Sequence, residues 1–228
     1  MPGNPVYLCK RTTGPISVDG RLDEGDWAAA AAVRLVLTDT GAPPKLGTLV
    51  RALWDDVYLY VGFECRDTDI WATMTGHDMP LWDEEVVEVF LDPAHLATAY
   101  FELVVNPRNA LTDVFVLNRG ARKLLFQPMR EWECTGVRHA VSLDGDLENR
   151  TSVDRSWSAE LAIPFDQLVT APNIPPKAGE AWKANFYRIE QGRDATEYTA
   201  WSPTGEINYH HAERFGTLVF SGQPVHHA

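Results

Sequence analysis

The sequence predicts an all-β fold: a single antiparallel β-sandwich with one or two short helices. Many short segments alternate apolar and polar residues at the two-residue strand period. Gly, Pro, Asp and Asn punctuate those segments at regular spacing, and one stretch, Ala28 to Ala32, is rich in helix formers. No linker composition divides the chain and no internal repeat is visible, so residues 1–228 read as one domain.

Val6 to Cys9 reads as a short strand, with Ile16 to Gly20 as a turn. Asp23 is placed to cap a short helix through the alanines, which Trp27 would anchor to the sheet. Val33 to Leu37 is a strand ended by Gly41-Ala42-Pro43-Pro44. Thr48 to Trp54 and Val57 to Arg66 are strands joined by a tight turn at Asp55-Asp56. In the second of these, Leu59, Val61, Phe63 and Cys65 face one way, and Tyr58, Tyr60, Gly62 and Glu64 the other. Asp67 to Leu81 is a long polar loop that includes Met74, His77, Asp78 and Met79, and loops of this length are often functional.

The segment from Pro80 to Asp92 organises the chain. Val87, Val89 and Leu91 make a core face, while Glu84, Val86, Glu88, Phe90 and Asp92 face away, with Trp82 just before the strand. Tyr100 to Asn106 repeats the arrangement, with Phe101, Leu103 and Val105 inside and Glu102, Val104 and Asn106 outside. Strands follow at Leu111 to Leu117 and Lys123 to Phe126, and one or two lie across Trp132 to Val141. Asp144-Gly145-Asp146 makes a turn, and Trp157 to Pro164 is a strand stopped by its proline. Phe165 to Val169 suits one helical turn and Ala171 to Pro176 a loop. Trp182 to Glu190, Tyr198 to Trp201 and Arg214 to Phe220 supply the closing strands.

With 45% hydrophobic and 23% charged residues, the chain has the composition of a soluble globular protein with a full core. A formal net charge of −12 with no basic cluster would repel a polyanion and argues against nucleic acid as a partner, while a neutral ligand or a divalent cation remains compatible. No apolar run approaches membrane-spanning length, so no membrane insertion is expected. No charged-then-apolar leader opens the chain, which suits an intracellular protein or a mature form that has lost its leader. Cys9, Cys65 and Cys134 show no metal-binding spacing, and Cys65 falls in phase with a core face.

The chain lacks G-x-S-x-G, H-E-x-x-H, P-loop and G-x-G-x-x-G signatures. Glu84 and Glu88 share a face but stand roughly 13 Å apart at the usual strand rise, beyond the spacing of a glycosidase acid pair. Glu85 points to the opposite side. If the two central strands pair, Glu88, Glu102 and Asn106 line one shallow groove with Trp82 at its rim, a chemistry suited to a polyhydroxylated ligand. The alternative is an outer sheet face with Glu88 solvated and Trp82 plugging the strand end. Asp55, Asp67 and Asp83 are candidate oxygen ligands for a structural calcium.

Several motifs run through the chain in order. They are Val18-Asp19-Gly20-x-Leu22-Asp23-Glu24-x-x-Trp27, Leu59-Tyr60-Val61-Gly62-Phe63 with Asp67, and Trp82-Asp83-x-Glu85-x-Val87-Glu88-Val89-Phe90-Leu91-Asp92. Trp157 to Pro164, Asn185-Phe186-Tyr187-Arg188, Ala200-Trp201-Ser202 and Arg214-Phe215-Gly216-Thr217-Leu218 complete the set. In these the chain resembles the family 9 carbohydrate-binding modules and their stand-alone relatives, whose fold is an immunoglobulin-like, DOMON-type β-sandwich. The resemblance implies non-catalytic binding of a mono- or oligosaccharide, alone or as an accessory part of a glycoside hydrolase, in an extracellular or periplasmic setting. It implies a sugar held between two aromatic rings, Trp82 matching the first and Tyr209 standing where the family has a second Trp. Glu88 matches a carboxylate of the sugar site, Asn106 a polar residue, and Glu102 falls where an amide side chain sits. An Arg of that site falls at Val104. Arg188 and His210 match positions common in the stand-alone relatives. The same superfold also hosts b-type haem domains for electron transfer, for which Met74 or Met79 with His210 would supply axial ligands.

Overall fold

The computed structural model describes residues 3–118, 126–193 and 195–227. Residues 123–125 of the strand expected at Lys123 to Phe126 lie outside these. The strands are β1 (Val6–Arg11), β2 (Val33–Arg34), β3 (Val36–Leu37), β4 (Thr48–Trp54), β5 (Tyr58–Arg66), β6 (Val86–Asp92) and β7 (Ala99–Val105). They continue with β8 (Leu111–Asn118), β9 (Phe126–Met129), β10 (Arg138–Asp144), β11 (Ser156–Pro164), β12 (Ala181–Gln191), β13 (Thr196–Ala200) and β14 (Gly216–Pro224). The main path of the sheet runs β10-β11-β5-β4-β1-β14-β12-β6-β7-β8-β9.

Alternation makes this sheet a sandwich. Leu59, Val61 and Phe63 of β5 and Ala159, Leu161 and Ile163 of β11 share one buried cluster with residues from the far end of the path. Those are Val87, Val89 and Leu91 of β6, Phe101, Leu103 and Val105 of β7, and Ala184 and Phe186 of β12. The two halves therefore face each other across this core. All three cysteines are buried free thiols, and no described helix is long and apolar enough to cross a membrane.

The pairing is antiparallel throughout the described strands except at β1. Val6 to Cys9 run parallel to Thr217 to Phe220 of β14, and Lys10 and Arg11 run parallel to Leu53 and Trp54 of β4. A register break between Cys9 and Arg11 passes the strand from one half to the other. Neither neighbour of β1 is joined to it by a hairpin, so nothing local imposes an antiparallel direction.

Both outer faces are covered. On the first, Trp27 and Ala30 pack with Ile16, Leu53, Tyr60, Ala162 and Val225. Trp27 anchors α1 (Gly25–Ala29) as expected, and its indole N–H donates to Glu160 at 2.8 Å. A Cβ on Gly62 would stand 2.5 Å from Leu22 Cδ2, so the glycine lets this layer close on the sheet. The helix is shorter than the alanine run suggests, and Glu24, not Asp23, holds the N-cap position. Glu24 makes no cap bond because its carboxylate accepts the Ser17 N–H instead. The second outer face bears Leu81, Val86, Phe90, Tyr100, Val104, Val114, Val116, Tyr187 and Ile189, roofed by Tyr209, Ala212 and Phe215.

One charged group crosses the inter-sheet core. Arg188 of β12 donates to Asp67 Oδ2 at 2.6 Å and Glu85 Oε1 at 2.8 Å, with all three side chains within 1% of complete burial. It also donates to the Arg66 carbonyl at 2.8 Å, and Trp157 Nε1 donates to Glu85 at 2.8 Å. Burial pushes the Glu85 carboxyl well above its ordinary range, against the pull of Arg188. Truncation of the one cation strands two buried carboxyls. Arg188→Ala should cost about 3–5 kcal/mol of stability; urea unfolding is the measurement, and an unchanged midpoint would show the pairs dispensable.

Candidate functional site

The site is assembled by register. β6 and β7 pair with Glu88 opposite Val104 and Phe90 opposite Glu102, which makes Glu88 and Glu102 diagonal neighbours on the second outer face. On the other side of β6, Tyr187 of β12 stands opposite Glu88 and Asn185 opposite Phe90. Beyond β7, Val114 of β8 stands opposite Glu102. Two carboxyls are thus set among aromatic and aliphatic neighbours. Glu88 is 2% exposed and Glu102 6%, and neither has a protein hydrogen-bond partner among the described residues.

Their electrostatics follow from that setting. Burial pushes Glu102 up to about 8, with Arg130 pulling it back. Burial, with the neighbouring Glu102, pushes Glu88 well above the carboxylate range. The rings around them form a tight set. Phe90 and Tyr100 stack at 5.8 Å, and His210 lies 5.4 Å from Phe90 while its Nδ1 meets the Tyr100 hydroxyl at 2.9 Å. Burial lowers the His210 imidazole to about 4, so it is neutral at physiological pH. Tyr187 and Tyr209 stack at 4.0 Å between centroids.

Trp82 sits on a 3-10 turn, Leu81–Asp83, half-buried against the margin of this cluster with Met74 and Tyr198. The Arg130 guanidinium lies 5.1 Å above its ring. Trp82, Glu88, Glu102, Tyr209 and His210 therefore belong to one face of one sheet half. The outer face is not solvated at Glu88, because the 201–215 segment covers it.

Several expectations need correction. Tyr209 does not stand free at a rim across from Trp82. It is 8% exposed, one ring face is filled by Tyr187, and its hydroxyl donates to the Arg188 carbonyl at 2.8 Å, so it roofs the cluster. Arg188 points to the opposite side of β12, into the inter-sheet core, and is taken up by Asp67 and Glu85. Asn106 lies at the end of the groove face, but its amide donates to the Met74 carbonyl and its oxygen accepts from the Arg108 and Ala110 N–H groups. It closes the β7–β8 turn.

The three carboxylates considered for calcium do not converge. Asp55 accepts from Val57, Tyr58 and Tyr60 at the β4–β5 turn, Asp67 is neutralised by Arg188, and Asp83 is exposed on its turn. That donor set does not fit one calcium ion. Haem ligation fits no better. The His210 ring is packed on Phe90 and bonded to Tyr100, and Met79 Sδ already accepts the Gly76 N–H.

Sequence reasoning passed over Tyr100, Tyr187 and Arg130. Tyr100 carried a signal, since it lies two residues before Glu102 and so on the same face. Tyr187 meets Glu88 only through strand pairing, and Arg130 reaches Trp82 from the turn just after β9; neither contact has a local signature.

Comparisons bear on this architecture. A family described as carbohydrate family 9 binding domain-like matches residues 18–223. No curated protein sequence matches the chain. A Bacteroides uniformis ATCC 8492 protein, designated a candidate carbohydrate-binding protein, superposes with TM-score 0.74 at 19% identity, covering 96% of this chain and all of its own. A family 9 carbohydrate-binding module from Caldicellulosiruptor kristjanssonii in complex with cellotriose gives TM-score 0.64 at 17% identity, covering 96% of this chain and 94% of that one. The Caldicellulosiruptor kristjanssonii module in complex with glucose gives 0.63 at 16% identity, covering 96% of each. These likenesses extend over the whole sandwich.

The raised carboxyls tie stability to pH. A carboxyl whose folded pKa exceeds its unfolded one holds its proton longer in the folded state. Its contribution is complete below the ordinary value of 4.5 and is lost as pH climbs through the folded value, near 8 for Glu102. Unfolding free energy should therefore fall between about pH 5 and 8, at about 1.4 kcal/mol per pKa unit. Glu160 and Glu190, both pushed up to about 7 by burial, act in the same direction. Glu102→Gln should flatten the profile and be relatively more stable than the parent at pH 8. Urea midpoints at three pH values test this, and an equal slope in both proteins would count against a protonated Glu102.

Proposed function

The chain belongs to the carbohydrate family 9 binding domain-like family, and from that premise we propose that it is a non-catalytic carbohydrate-binding domain whose ligand sits at the Trp82 margin of the face that carries Glu88 and Glu102. The observation that carries the reading is the pair of buried carboxyls without protein hydrogen-bond partners among the described residues, set between aromatic rings. A protonated carboxyl both donates and accepts, which suits a sugar hydroxyl, and burial supplies that protonation. Trp82, half-buried at the margin, offers the ring that covers the apolar C–H face of a pyranose. The cellotriose and glucose complexes of the solved relatives favour a gluco-configured sugar.

Binding without bond cleavage is supported by where the acids lie. Glycoside hydrolysis needs two carboxyls flanking the scissile bond, whereas Glu88 and Glu102 both lie on one floor. Glu84 is held by the backbone N–H groups of Thr73 and Met74 and by the Thr73 hydroxyl. Glu85 is held by Arg188, Trp157 and the Trp71 N–H. Neither of these two is available to a substrate.

Calorimetry with cellotriose and glucose tests the proposal. Trp82→Ala should weaken binding by about 1–3 kcal/mol, the scale of aromatic stacking contacts. Its stability cost should stay below the roughly 3–5 kcal/mol of deleting a core aromatic, because Trp82 is only half-buried. Full affinity in the Trp82→Ala protein would sink the groove reading.

A further inference from the structure

The long loop before β6 holds a second cluster, outside the carbohydrate face. His77 Nε2 stands 2.9 Å from Glu133 Oε2, 3.3 Å from Asp113 Oδ1 and 3.6 Å from Asp78 Oδ1. Donor atoms of His77, Asp78 and Glu133 all lie within 4.8 Å of one another. They come from three places in the fold. His77 and Asp78 are in the loop, Asp113 is on β8, and Glu133 lies between β9 and β10.

The deeper side of the cluster carries an independent sign of a missing partner. Asp113 is 1% exposed, and one of its oxygens accepts the Cys134 N–H, but Oδ1 faces His77 without a hydrogen bond. Asp78 Oδ1 is likewise buried and without a hydrogen bond. Three carboxylates aimed at one imidazole leave net negative charge and two orphaned oxygens, which a divalent cation would satisfy. A left-handed backbone at Asp78, φ 58°, with its N–H bonded to the Leu111 carbonyl, turns that residue toward β8.

We propose that His77, Asp78 and Glu133, backed by the buried Asp113, bind a divalent first-row transition cation such as zinc. Bonds of about 2.0–2.2 Å to nitrogen and oxygen set tetrahedral ligand–ligand edges of about 3.3–3.6 Å, and the three separations around Nε2 bracket that range. The imidazole donor selects against calcium and magnesium, which take oxygen ligands. His77 and Glu133 are exposed, so the ion has a path in. The bound ion would fasten the loop to β8 and to the Glu133 turn. The Asp78 carbonyl already accepts from Arg130, the residue over Trp82, so the fastening lies one residue from the proposed sugar platform.

The test uses the full untagged chain, stripped with EDTA and titrated calorimetrically with zinc and, separately, calcium. One zinc per chain is expected, with calcium bound far more weakly. His77→Ala and Glu133→Gln should each weaken zinc binding at least about tenfold, and Asp113→Asn by about 10–100-fold, the range for supporting residues around a metal. Glu131→Gln, an exposed neighbour, should bind as the parent does. Zinc should also slow backbone hydrogen exchange across residues 74–82 in the parent and not in His77→Ala. Absence of zinc binding, equal affinity in His77→Ala, or calcium binding as tight as zinc would overturn the proposal. None of these readouts depends on a sugar.

Discussion

A slip of one residue between β12 and β6 would exchange Arg188 for Tyr187 at every contact either makes. Arg188 would leave Asp67 and Glu85 stranded in the core, and Tyr187 would leave Glu88 and Tyr209. The period of two makes such a slip all-or-none. Register at this central pair is therefore set twice, by the buried ion pairs on one face and by ring stacking on the other. Glu85, one residue before β6, is tied to the inner face, and Glu88, three residues later, belongs to the outer one. The arrangement of the whole second half follows from that alternation.

The acidic loop from Asp67 to Glu85 is fastened by separate devices along its length. Asp67 and Glu85 meet Arg188 at its two ends, Asp69 meets Arg150 and Arg193, and Glu84 ties back to Thr73 and Met74. Asp67, Asp69, Glu84 and Glu85, which composition alone suggests as solvated or calcium-binding, are instead taken up by guanidinium groups, backbone N–H donors and the Thr73 hydroxyl. Among the described residues of this loop, a buried oxygen without a hydrogen bond stands at Asp78. Arg130 links that stretch to Trp82, donating to the Asp78 carbonyl and lying over the Trp82 ring.

Burying Glu88 and Glu102 side by side is costly for ionised carboxyls and much less so for protonated ones. The enclosing rings of Phe90, Tyr100, Tyr187 and Tyr209 lower the local polarity that would stabilise the charged form. This explains why an outer sheet face, ordinarily the wet side of an antiparallel sandwich, carries a second core. High aromatic content thus serves three layers: the inter-sheet core, the helix-covered face and the carboxyl-bearing face.

Local periodicity by itself determined which residues of β5, β6 and β7 face the core, that Glu88 and Glu102 share the other side, and that Trp27 anchors a helix. Those properties depend only on neighbours along the chain, because side chains alternate wherever a strand forms. The partners of Arg188 lay beyond that reach: it falls in phase with Trp182, Ala184 and Phe186, yet only the pairing of β12 with β6 brings it to Asp67 and Glu85. Tyr209 had no strand phase to read, and its stacking on Tyr187 arises from a loop folding back over the sheet. Asp55, Asp67 and Asp83 looked equivalent as acids, yet Asp55 ties its own turn, Asp67 meets Arg188 across the core and Asp83 is exposed. Strand order, the parallel insertion of β1 and the convergence of His77 with Asp113 and Glu133 were decided by tertiary structure, because each joins residues whose separation along the chain carries no periodic signal.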